Sequence, residues 1–109
     1  MLGEFEYLLL SAIGRLGEGA YGAAIRRDIE DSTGSGCSIG ALYTTLDRLE
    51  AKGLIETWMG NATPERGGRP KRMARLTAKG IRASADFYNT VLRASRSLSW
   101  ETKRGGVRS

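Results

Sequence analysis

The chain has 109 residues, 40% of them apolar and 27% charged, with a net charge of +5. That length suits one domain with a modest core, and no apolar run approaches the roughly 18 residues of a membrane span. With no histidine and the single cysteine Cys37, an internal disulfide, a cysteine-based metal cluster and a Cys–His catalytic pair are excluded, and neither metal nor cofactor is expected.

In chain order, Phe5, Leu8, Leu9, Ala12, Ile13 and Leu16 recur at helical spacing and predict a first helix over about 4–15, ended near Gly14 and Gly17. Its apolar stripe is broad enough to face a core and a second chain. Gly17-Glu18-Gly19 is a turn and Ala20-Tyr21 a short extended piece. A second helix over about 22–32 has Tyr21, Ala24, Ile25 and Ile29 inside and Arg26, Arg27, Asp28, Glu30 and Asp31 outside. Thr33-Gly34-Ser35-Gly36 ends it. Ser38 is a good N-cap for a third helix, and Gly53 closes that helix. Leu42, Leu46 and Leu49 share its inner face, while Gly40, Ala41, Thr44, Thr45 and Arg48 make an outer face of small and hydrogen-bonding groups, with Tyr43 at the edge. Such a face can enter a DNA groove closely; from this stretch alone a plain core helix reads equally well.

Beyond Gly53 the pattern alternates. A strand is predicted over 54–59 and its antiparallel return over 72–76, with Trp58 expected in the core. The tip between them holds Arg66, Arg69, Lys71 and Arg72 against the single acid Glu65, and Gly67, Gly68 and Pro70 make it a loop. Thr77 caps a long helix predicted to reach Trp100, with a surplus apolar surface at Phe87, Val91, Leu92 and Leu98; residues 101–109 read as a disordered basic tail.

Charge divides along the chain. Residues 1–60 hold 5 basic and 9 acidic side chains, residues 61–109 hold 12 and 3. A polyanion met partly by the second half accounts for this, as does a solvated tail. The start of the chain lacks a basic leader stretch and the lone cysteine fits a reducing compartment, so a cytoplasmic protein is expected. Catalysis has no visible apparatus, and residues 67–71 lack the spacing of a phosphate-cradling loop. The fold class is therefore mainly α with a small β-hairpin: a winged helix-turn-helix over 1–76, followed by a long C-terminal helix over 77–100. In that arrangement the third helix reads the major groove, and arginines on the hairpin neutralise phosphates.

These motifs together resemble the PadR family of bacterial transcriptional regulators, in particular its short members with a single C-terminal helix. The matching stretches are GEFEYLLLSAI at 3–13, AYGAAIRRDIE at 20–30, SIGALYTTLDRLEAKGLI at 38–55 and TPERGGRPKRMARLTAKG at 63–80. The resemblance covers about residues 3–92. The family usually has an aromatic on the strand after the wing, where this chain has Met73-Ala74; the difference bears on packing, not on the DNA-facing residues. The resemblance implies a homodimeric repressor that binds an inverted-repeat operator in double-stranded DNA. In several members a small aromatic or lipophilic effector releases the DNA. Dimerisation would use the last helix (Phe87, Val91, Leu92, Leu98) with help from the first (Phe5, Leu9). Trp100 is the candidate for stacking on an effector, though it could equally cover a partner's helix end.

On this reading Ser38, Gly40, Ala41, Thr44 and Thr45 reach base edges and thymine methyls. Tyr43 and Arg48 bond phosphates, and Arg66, Arg69, Lys71 and Arg72 are the wing contacts. The alternative from another class is a winged-helix protein-interaction module without specific DNA binding, which a salt-steep gel shift would distinguish.

Overall fold

The computed structural model describes residues 1–60 and 70–100. Helix α1 spans Glu4–Leu16, α2 Gly22–Thr33 and α3 Ile39–Ala51. Strands β1 (Ile55–Met59) and β2 (Arg72–Leu76) pair antiparallel, and α4 covers Ala78–Ala94.

The helices form where apolar periodicity places them. Leu9, Leu10, Ala12 and Ile13 of α1, Ile25 and Ile29 of α2, and Leu42, Leu46 and Leu49 of α3 are buried in one core, closed by Leu54, Ile55 and Ala74 of the hairpin. Gly14 continues α1, which stops at Gly17 with φ +58°. The extended Ala20-Tyr21 pair runs beside β2 and joins it through an isolated bridge. Tyr21 faces Met73 across it, and the Ala74 N–H donates to the Ala20 carbonyl at 3.0 Å. Ala74 is thus a core residue where its small size lets the strand lie close to Ala20.

The boundaries of α3 are fixed chemically. The Ser38 hydroxyl accepts from the Ala41 N–H at 3.0 Å. At the other end Gly53 takes φ +77°, and the Leu54 N–H returns to the Leu49 carbonyl at 3.0 Å. That left-handed closure turns the chain directly into β1.

Helix α4 ends at Ala94, six residues before the expected Trp100. Ser95 to Ser97 make a turn in which Ser97 has φ +69°. The serine-rich stretch buries nothing that would repay continuation, since every residue from Val91 to Trp100 is exposed. Trp58 also departs from expectation. It is 44% exposed on the outer face of the two-stranded sheet, with the Arg75 guanidinium 5.4 Å from its ring centre. The tail over 101–109 and the hairpin tip over 61–69 lie outside the described residues.

Candidate nucleic-acid interface

Because α3 buries Leu42, Thr45, Leu46 and Leu49, the residues on its opposite side face outward: Gly40, Ala41, Thr44, Asp47, Arg48 and Ala51 are all exposed. Gly40 has nothing within 4 Å of where a Cβ would stand. Among the described residues its missing side chain therefore serves no packing, and it leaves the first turn open to close approach. The cap residue Ser38 is exposed beside it.

Thr45 is withdrawn from this surface. It is 4% exposed and packs inward with the leucines, because it stands three residues after Leu42 and four before Leu49. Tyr43 is half-buried at the edge. Its hydroxyl lies where a Cβ on Gly22 would come within 2.3 Å, so it wedges α3 against the start of α2. Ile39 was not anticipated: it is 57% exposed at the start of α3, an apolar group available to thymine methyls. An isoleucine directly after an N-cap, off the leucine stripe, was the available signal.

The turn between α2 and α3 is held by Arg26, whose Nε donates to the Cys37 carbonyl at 3.0 Å. Lys71 and Arg72 are both half-buried at the loop end of the hairpin, where β2 begins. Lys71 Nζ sits 4.5 Å over the Tyr21 ring. Arg72 Nη2 pairs with Asp47 at 2.8 Å and Glu50 at 3.3 Å. Arg66 and Arg69 lie outside the described residues.

The rear of α3 is pinned by Glu6. This buried carboxylate accepts from the Gly3 N–H at 2.9 Å and from Lys52 Nζ at 2.8 Å. Burial pushes its pKa up, but the bonds from Lys52 and Gly3 and the charges of Lys52 and Arg48 outweigh that and hold it below the ordinary value. Arg48 therefore stands on the α1 side of α3, at the flank of the outward face. A folded-state pKa below the unfolded one stabilises the fold fully above the unfolded value, about 4.3 for glutamate. That contribution is lost as pH falls through the lower folded value. Glu6→Gln is accordingly expected to melt below the parent at neutral pH, with the two curves converging in acid; a difference that persisted in acid would assign the loss to packing.

Of the residues expected at a dimer seam, Leu9 is 0% exposed and belongs to the core. Phe5 is half-buried and packs on the same cluster. The Phe87 ring meets the Tyr7 ring of its own chain, centres 4.8 Å apart, which docks α4 on α1. Val91, Leu92 and Leu98 are 46%, 52% and 53% exposed. A groove of about 670 Å³ runs between the start of α1, the end of α3 and α4, lined by Leu2, Leu54, Ala83 and Phe87 with Lys52 and Lys79. Trp100 is not among its walls and stands 79% exposed beyond α4. No helix among the described residues is long and apolar enough to cross a membrane.

The profile of the transcriptional regulator PadR-like family matches residues 9–86. Among solved structures, RosR of H. salinarum is 28% identical over 90% of this chain and 81% of that one, with a TM-score of 0.68. A PadR family transcriptional regulator from Eggerthella lenta is 26% identical over 84% and 79%, with a TM-score of 0.67. A PadR-like transcription factor from Bacteroides fragilis reaches a TM-score of 0.72 at 22% identity over 85% and 84%, a likeness of fold alone. Among curated proteins none matches.

Proposed function

This chain belongs to the PadR-like family of transcriptional regulators, DNA-binding proteins rather than enzymes, and we propose that it is a cytoplasmic repressor that binds an inverted-repeat operator as a homodimer. The observation that carries the reading is the outward face of α3, where Gly40, Ala41, Thr44 and Ala51 are exposed and small. The small side chains at Gly40, Ala41, Thr44 and Ala51 let the helix backbone approach base edges, and this face lies beside a hairpin whose sequence is rich in arginine. Ser38, Ile39, Gly40, Ala41 and Thr44 are the base-reading group. Arg48, Lys71, Arg66 and Arg69 are the phosphate contacts that set position and supply salt dependence.

The homodimer rests on the uncovered apolar residues of α4, and two-fold symmetry then spaces the α3 helices about one DNA turn, roughly 34 Å. Release by a small aromatic or lipophilic effector goes with the reading, with Trp100 as the stacking residue. Selection of bound sequences from a random duplex pool tests the whole proposal: a palindrome with half-sites one turn apart is expected, and an unenriched pool would overturn it. Within that operator, Thr44→Ala is expected to cost about 1–3 kcal/mol on the selected sequence and little on random DNA, measured by gel shift. Equal losses on both would make Thr44 a backbone contact.

A further inference from the structure

Arg72 was expected to touch phosphate, and its surroundings argue otherwise. It opens β2, opposite Met59 in the hairpin register. Its Nη2 lies 2.8 Å from Asp47 Oδ1, 3.3 Å from Glu50 Oε1 and 3.4 Å from Thr57 Oγ1. The guanidinium carbon is 5.9 Å from the centre of the Tyr43 ring. Thr57 Oγ1 in turn donates to the other oxygen of Glu50 at 2.9 Å. Tyr43, Asp47 and Glu50 stand at i, i+4 and i+7, so they form one ridge of α3. A single side chain from the hairpin lies along that ridge and is only 21% exposed. A phosphate approaching it would have to displace two carboxylates that repel phosphate themselves.

Asp47 shows what the contact achieves. Its side chain is 69% exposed, on the side of α3 that carries Gly40, Thr44 and Ala51. Left alone it would present a negative charge to a polyanion. Resting on the DNA-binding reading above, we propose that Arg72 is a positioning residue that does not contact DNA: it fixes the loop end of the hairpin, where β1 ends and β2 begins, against α3 and neutralises Asp47. Operator recognition depends on Arg72 through Asp47 and Glu50. The hairpin and the reading helix therefore engage DNA as one rigid unit.

The test compares the parent chain, Arg72→Ala and the double variant Arg72→Ala/Asp47→Asn on the selected operator, each titrated with salt. Melting curves establish beforehand which of the three are folded, and only folded variants are compared. Arg72→Ala is expected to lower operator affinity about tenfold, within the range of charge-pair couplings. It should leave the slope of log K against log salt unchanged. The double variant should recover most of the loss, because the exposed carboxylate is gone. A direct phosphate contact predicts instead a slope flatter by about 0.9, and that result overturns the proposal. A parent chain that binds DNA with neither salt dependence nor sequence preference overturns the functional reading itself, and this inference with it.

Discussion

Gly80→Ala is expected to destabilise the protein by about 2 kcal/mol or more, the upper part of the range for forced overpacking. A Cβ at Gly80 would lie 2.0 Å from the carbonyl oxygen of Leu54 and 3.0 Å from its carbonyl carbon. Both are backbone atoms, so no rotamer change relieves the clash. The Leu54 carbonyl cannot retreat freely, because it accepts the Thr77 N–H at 3.1 Å. Around it Thr77 Oγ1 donates to the Gly53 carbonyl at 2.7 Å, and Lys79 Nζ to the Lys52 carbonyl at 2.9 Å. The first turn of α4 is thus fastened to the turn that ends α3. Alanine would add up to about 1 kcal/mol of helix propensity, which the clash exceeds. In a melting experiment the midpoint should fall by roughly 10 °C. Gly40→Ala is the control: with open space around it, it should melt at or above the parent. Equal melting of the two variants would show that α4 can shift off Leu54 without loss.

Periodicity and end signals made most of this architecture legible. The Leu42, Leu46 and Leu49 stripe, the Ser38 cap and the Gly53 stop located α3 to within a few residues because each is a local effect. Thr45 was misplaced by its polarity, although its spacing from Leu42 and Leu49 already put it inside. Leu9 was misplaced in the same way, by counting a broad stripe as surplus when α2 and α3 use its centre. The end of α4 had no glycine or proline to announce it, and Leu98 looked like another turn of the same stripe. Trp58 read as core because no local pattern in the sequence shows that it stands 44% exposed on the outer face of the hairpin beside Arg75. The partners of Arg72 were beyond any spacing rule: Asp47 and Glu50 lie more than twenty residues away and meet it only once the hairpin folds back on α3.

Leu92→Glu, strengthened by Tyr88→Glu, is expected to dissociate the protein into monomers and to reduce operator affinity by about two to four orders of magnitude, the weight of lost bivalency. Helix α4 has two apolar sides. Ala83 and Phe87 face the body of their own chain, where Phe87 meets Tyr7. Ile81, Tyr88 and Leu92, at i, i+7 and i+11, form a separate stripe whose members are 56%, 51% and 52% exposed. Large apolar groups aligned in this way on a small protein mark an interaction surface. Pairing the stripe with its own copy is the closed arrangement that two-fold symmetry allows, so a carboxylate placed there meets or nears its symmetry mate. Neither position belongs to the core, so the monomer should keep its helical circular dichroism. The loss should appear on the full operator and not on a single half-site, since the outward face of α3 is untouched. Sedimentation gives the mass, and gel shifts on full and half operators separate bivalency from contact. A variant that still sediments as a dimer and binds the full operator like the parent would remove this stripe from the dimer seam. The remaining candidates would then be the groove beside Phe87 and the exposed residues beyond Ala94.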